Sequence, residues 1–362
     1  MENANDTCVG PDSSDAGKAS SCAGCPNAAA CAAGKNKSAP PPPGVVATMS
    51  KIARTVMVLS GKGGVGKSTV STQLALALAQ RGYRVGLLDL DICGPSVPTI
   101  LGLKGHEVHQ SATGWSPVYV DLDQDEDNED DDGKNIDGEL GVLSIGFLMS
   151  DPDQAVIWRG PRKNGLIKQF FEGVDWGELD FLLIDTPPGT SDEHISIAQL
   201  LKASLGENDG AVVVSTPNEI AMADVRKELN FCKKTNIKVL GVVENMSQMQ
   251  VGLEKVSFVD QKDGADHSAR IVDAIRAGCP DLDLATIAAA FSVFPSAGRN
   301  TVQSMSKAFG VPFLGTVPLD PTLQKNCDAG APVARGRASA AIGKVAEKIS
   351  EGVPLRESMD EE

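Results

Sequence analysis

Val56-Met57-Val58-Leu59-Ser60-Gly61-Lys62-Gly63-Gly64-Val65-Gly66-Lys67-Ser68-Thr69 reads as an apolar strand, a glycine-rich turn and the opening of a helix. The turn fits G-x-x-x-x-G-K-[ST], and its place between strand and helix separates a phosphate-binding loop from a chance match. Glycines let the backbone curl so that consecutive N–H groups face phosphate oxygens, and the following helix offers its positive end to the same anion. On this reading Gly61, Gly63, Gly64, Val65 and Gly66 cradle the phosphates and Lys67 neutralises the β and γ groups. Ser68 and Thr69 open the helix, with the Ser68 hydroxyl completing the coordination of Mg2+.

Outward from the loop, short apolar runs alternate with helical patterns. Strands are expected near 55–59, 84–90, 140–145, 181–184, 211–215, 238–243 and 313–317, and helices near 67–80, 163–171, 194–202, 221–233 and 338–349. Such alternation predicts an α/β fold, a mostly parallel twisted sheet with helices on both faces. Two strands end in carboxylates where a phosphate loop needs them. Phe181-Leu182-Leu183-Ile184-Asp185 places Asp185 to hold the magnesium, directly or through water. Leu88-Asp89-Leu90-Asp91 supplies a pair, one member to orient the attacking water and the other to support the metal shell, unless either is a cap or a surface carboxylate. Gly189 in Thr186-Pro187-Pro188-Gly189-Thr190 can swing toward a γ phosphate as a switch. No N-K-x-D tetrapeptide selects guanine, so ATP is the expected nucleotide.

The domain plan follows from composition. Residues 51–352 form the ATPase domain, 39–50 a Pro-rich linker through Pro40-Pro41-Pro42-Pro43, and 353–362 an acidic tail. Residues 1–50 lack periodic large apolar residues and cannot fold by hydrophobic collapse, and 1–38 of them form the N-terminal cysteine segment. The net charge of -15 is uneven, because residues 121–139 hold eleven carboxylates against Lys134 and read as a solvated loop insertion. A second, atypical insertion is expected at about 248–296. With no basic stripe, no long apolar run and no basic or Arg-rich leader, the chain is expected in the cytoplasm, binding neither nucleic acid nor membrane.

Four of the eight cysteines crowd at the start, as Cys8, Cys22, Cys25 and Cys31 in C-x13-C-x2-C-x5-C. Short loops between thiolates let neighbouring sulfurs converge on one soft centre, and zinc or an iron-sulfur cluster suits the spacing equally, with unliganded thiols the plain alternative. Bound metal would then replace the missing hydrophobic core. Cys93, Cys232, Cys279 and Cys327 are scattered singly.

S-G-K-G-G-V-G-K-S-T, with its extra Lys62, resembles the deviant Walker A ATPases, the family of cell-division positioning, plasmid-partitioning and nitrogenase-reductase proteins. That resemblance implies that Lys62 reaches across a dimer to the other subunit's nucleotide, and that Asn245 in Val242-Val243-Glu244-Asn245-Met246 contacts the adenine edge. Together with L-D-L-D-I-C-G-P-S, W-R-G-P-R-K-N-G, D-T-P-P-G-T-S-D-E-H, G-V-V-E-N-M-S and the four cysteines, the chain is similar to cytosolic iron-sulfur assembly factors of the Mrp/NBP subfamily. It implies a 4Fe-4S cluster on Cys8, Cys22, Cys25 and Cys31. It also implies a homodimer, or a heterotetramer with a related scaffold ATPase, that passes clusters through downstream transfer proteins to cytosolic and nuclear apoproteins. One departure is plain: the subfamily's C-P-x-C pair after E-N-M-S is absent, since Gln248-Met249-Gln250-Val251-Gly252 stands there, so the usual bridging cluster has no ligands. Cys279, before Pro280, is the one candidate substitute. Two other classes stay in view, a positioning or partition switch and an electron-transfer ATPase. The acidic end of the chain opposes the first, and the second would need Cys93 at a dimer axis.

Overall fold

The computed structural model describes residues 5, 8, 15–34, 40–92, 94–111, 114–122, 138–149, 160–202, 204–294, 301–331 and 336–355. In chain order these form α1 (Ala28–Ala32), α2 (Pro43–Met49), β1 (Ile52–Ser60), α3 (Lys67–Ala79), β2 (Arg84–Asp89), α4 (Val97–Ile100), β3 (Val118–Tyr119) and β4 (Glu139–Ser144). There follow α5 (Gly160–Glu172), β5 (Leu179–Asp185), α6 (Asp192–Leu201), β6 (Gly210–Ser215), α7 (Glu219–Thr235), β7 (Val239–Gly252), α8 (Ser268–Gly278) and β8 (Ala288–Phe291). The last elements are α9 (Val302–Phe309), β9 (Phe313–Leu319), α10 (Pro321–Ala329) and α11 (Arg337–Ser350).

The strands of the described residues make one sheet, in the order β3-β4-β2-β5-β1-β6-β7, with β9 and β8 both on β7. All neighbours are parallel except β3 on β4 and β8 on β7. Strand β1 shows why both faces are covered. Val56 packs with Leu74 and Leu78 of α3 and with Ile342, Val345 and Ile349 of α11, whereas its neighbour Met57 packs with Phe170 and Phe171 of α5, Ile197 of α6 and Val225 of α7. Successive residues of a strand point to opposite faces, so an unbroken apolar run buries in two cores at once. Helix α3 is buried on nearly every side between sheet and α11, which fits a sequence apolar all round. At the far end of β1, the buried Arg54 guanidinium donates to the carbonyls of Ile349 and Glu351 and closes the last turn of α11.

Two segments depart from the sequence reading. The stretch read as linker folds from Pro43 as α2, with Val45 and Met49 fully withdrawn into the core beside Phe170. Proline at the first helical position starts such a helix, and two buried side chains contribute roughly 1.5–3 kcal/mol each to holding it. Strand β7 runs past the expected end to Gly252, through Met246 in the left-handed region at φ 55° and a register shift against β9 between Asn245 and Met249. The second insertion is thus the end of β7, then α8, then β8 returning antiparallel to it, and α8 buries none of its side chains in the core. Most of the acidic run, residues 123–137, and the last residues, 356–362, lie outside the described residues. No helix of the described residues is long and apolar enough to cross a membrane.

Candidate functional site

Strands β2, β5 and β1 end side by side, with Asp89 and Asp185 in register on the first two. What these ends carry converges on the start of α3. Lys67 Nζ lies 2.7 Å from Asp185 Oδ1, the two side chains being 5% and 0% exposed. Ser68 Oγ donates to Asp185 Oδ2 at 2.6 Å, and Ser71 Oγ, one turn further on, to Asp185 Oδ1 at 2.6 Å. An ion pair withdrawn from water is costly unless further hydrogen bonds complete it, and the two hydroxyls do so. Hard oxygen donors on Ser68 and Asp185 suit Mg2+, and the ammonium of Lys67 suits phosphate. Ser71 was not singled out from the sequence, though its place one helical turn after Lys67 was the available signal.

The loop is fixed from beneath. Val65 plugs an apolar cluster with Val58, Val70, Val214 and Ala221. Asn245 Nδ2 donates to the Val65 carbonyl at 2.9 Å. Gly66 sits at φ 80°, and a Cβ there would lie 2.3 Å from the same Asn245 amide, so the position requires glycine twice over. The structure therefore turns the Asn245 amide to the loop backbone, a role the sequence reading did not give it.

The two aspartates of Leu88-Asp89-Leu90-Asp91 are placed differently. Asp89 is fully buried, accepting from Ser144 Oγ at 2.8 Å and from the Asp91 N–H at 3.1 Å. Burial, and then the neighbouring Asp185, raise its pKa above the ordinary carboxylate range. Asp91 instead lines a cleft of about 560 Å³ together with Lys62, Gly63, Gly64, Lys67, Ser68 and Thr69. That size falls among small-molecule sites. Its far wall is α10, through Gln324, Cys327 and Asp328, with Gln324 Nε2 donating to Asp328 Oδ1 at 2.9 Å. Nothing in the local sequence connects α10 to a loop so distant along the chain. Lys62 is half-exposed at the mouth, and after Lys227 it helps hold the Asp224 carboxyl of α7 below its ordinary pKa.

The four N-terminal cysteines are a donor set of the right softness and number for a four-thiolate centre. Cys22 and Cys25 close one tight turn, the Cys25 N–H donating to the Cys22 carbonyl at 3.1 Å, and Cys31 follows on α1. Asn5 Nδ2 donates to the Ser21 and Ala23 carbonyls at 2.9 and 3.2 Å, and the Cys8 N–H to the Asn5 carbonyl at 3.0 Å, which lays the Cys8 stretch along that turn. Among the described residues, however, no three His, Cys, Asp or Glu side chains are gathered closely enough to hold a metal ion. Of the single cysteines, Cys232 and Cys327 are buried, burial pushing the Cys232 thiol up to about 12, whereas Cys279 is exposed at the end of α8. Cys93 lies outside the described residues.

Residues 51–290 match the ParA family model, whose description is NUBPL iron-transfer P-loop NTPase. Among solved structures, a nucleotide-binding protein from Archaeoglobus fulgidus in complex with ADP, with cobalt, is 29% identical. The match covers 86% of this chain and 96% of that one, at a TM-score of 0.55. The cell-division protein MinD of Aquifex aeolicus is 20% identical over 84% of this chain and 100% of its own, at a TM-score of 0.47. MinD of Pyrococcus furiosus gives 20%, 83%, 99% and 0.47.

Proposed function

From the premise that the chain belongs to the NUBPL iron-transfer P-loop NTPase family, we propose an ATP-dependent carrier and scaffold for 4Fe-4S clusters in the cytoplasm. The observation that carries this reading is the finished phosphate site, with Lys67, Ser68 and Ser71 already gathered on Asp185, in a chain whose family moves iron. In this reading the loop binds MgATP. Ser68 and Asp185 hold the metal, Lys67 the phosphates, and Asp91 orients the attacking water above a buried Asp89. The ADP complex of the similar Archaeoglobus protein supports nucleotide binding by this chain.

Cys8, Cys22, Cys25 and Cys31 hold the cluster, which lies outside the family match and rests on the thiol set and its spacing. When bound, such a cluster supplies an iron-sulfur unit for delivery to recipient proteins. The chain's own part is to present thiolates and to change shape with its nucleotide. Working as a homodimer or with a related scaffold ATPase, each chain would lend Lys62 to its neighbour's nucleotide. With Gln248 to Gly252 in place of a C-P-x-C pair, carriage on the N-terminal thiols fits the residues better than a cluster bridged between chains.

The test is anaerobic reconstitution followed by iron and sulfide analysis and EPR of the reduced protein. One cluster per chain, abolished by Cys25→Ser and indifferent to Cys279→Ser, is expected. Uptake of zinc with refusal of iron would overturn the carrier and leave a nucleotide switch. Lys62→Ala is expected to keep nucleotide binding and lose turnover, in the range of about 10³ to 10⁵ seen for supplied cationic fingers. Unchanged turnover would reject the cross-subunit role.

A further inference from the structure

The first turn of α6 is tied on one side to the switch loop and on the other to α5. From Asp185 the chain runs through Gly189, whose N–H donates to the Ser60 carbonyl at 2.8 Å, to Ser191. The Ser191 N–H donates to His194 Nδ1 at 3.3 Å, and the buried His194 ring meets the edge of Phe231. Glu193 lies in the same turn and accepts from Lys163 Nζ of α5 at 2.8 Å, the two side chains being 13% and 18% exposed. Burial by itself would push the Glu193 carboxyl up, but hydrogen bonds from Lys163 and Ser191 outweigh it and hold the group at about 2. The Glu193 carboxyl is therefore ionised at any physiological pH.

Helix α5 also carries α2. Val45 and Met49 are buried in one cluster with Ile167, Phe170 and Phe171. From Pro43 back to Cys31 the chain can span at most about 40 Å, so α2 sets the outer limit of how far the cysteine segment can reach. A short charge-assisted pair between two partly buried helices is steep in distance, so α5 follows a shift of α6 rather than letting the pair part. Packed helices move between discrete arrangements and carry such a shift as a unit.

We propose that Lys163 and Glu193 are positioning residues that pass the state of the switch loop, through α5, to α2. The proposal rests on the nucleotide-switch reading above. Hydrogen exchange of the full chain, read by mass spectrometry with ADP and with a non-hydrolysable ATP analogue, tests it. Amides of residues 44–49 in α2 are expected to differ by at least about threefold in exchange between the two nucleotides in the parent, and to lose that difference in Lys163→Ala. Lys163→Arg, which keeps the charge, and the swap Lys163→Glu with Glu193→Lys are expected to retain or restore it, which lost packing alone would not do. An undiminished difference in Lys163→Ala, or none in the parent, overturns the relay. Affinity for a fluorescent ATP analogue is measured on the same samples. Failure of the parent to bind it would overturn the nucleotide reading itself, a result distinct from a bound nucleotide that α2 does not feel.

Discussion

At the phosphate loop three donors already sit within 2.7 Å of one buried carboxylate, whereas among the described residues of the cysteine segment no three metal-binding side chains are gathered. The first site stands on strand ends backed by two hydrophobic cores, so its geometry is fixed by packing before any ligand arrives. The second is carried by turns and a five-residue helix with little apolar surface, so on the proposed reading a bound cluster would be what closes it. On that reading the two regions draw their order from opposite sources, and the contrast is open to experiment.

The sharpest break would come from Lys67→Ala, expected to weaken MgATP binding in calorimetry by more than about 100-fold while iron uptake by the cysteines stays intact. Loss of both would mean that the two sites are not independently ordered. Cys25→Ser is expected to abolish cluster uptake and to leave the thermal unfolding of the ATPase body within about 2 °C of the parent, since surface changes outside the core rarely exceed about 0.5 kcal/mol.

The body, with its buried ionisable groups, also answers to pH. Glu228 is fully buried with neither carboxyl oxygen hydrogen-bonded, and burial raises its pKa to about 7, above its ordinary 4.5. The folded chain therefore binds the extra proton, so this contribution to stability is complete below about pH 4.5 and lost as pH rises to about 7. His194 runs the other way: burial lowers its pKa from 6.5 to about 4, so its contribution is complete above about pH 6.5 and lost as pH falls toward 4. Glu228→Met is expected to raise stability at pH 8 relative to pH 5 by up to about 3 kcal/mol in denaturant titrations. An equal change at both pH values would show that Glu228 has a hidden partner. The smallest effect is expected from Asn245→Ala, about 1–2 kcal/mol from one lost bond to the Val65 carbonyl. A collapse of ATP-over-GTP preference without that loss would instead assign Asn245 to the adenine.

The same contrast explains what could be read from the chain. Seven of the nine strands were legible as apolar runs because the doubly covered sheet writes itself into the sequence as Val, Leu and Ile. The loop, Asp185 and the Asp89–Asp91 pair were legible because their spacing is local. The α10 wall was not, because Gln324, Cys327 and Asp328 acquire meaning only through folding. Helix α2 was hidden by the prolines before it, whose stiffness argued for a spacer while Val45 and Met49 argued for a docked turn. The tail of β7 was hidden by Ser247, Gln248 and Gln250, polar residues suited to a strand with little to cover it.

The placement of α10 and α11 bears on how this protein fails. A chain cut short before Pro321 would keep every residue of the glycine-rich motif, yet its cleft would lose the wall of Gln324, Cys327 and Asp328, and Leu74 and Leu78 would face water in place of α11. Such a fragment would pass any inspection of its signature and still be a sticky, weakly gripping remnant.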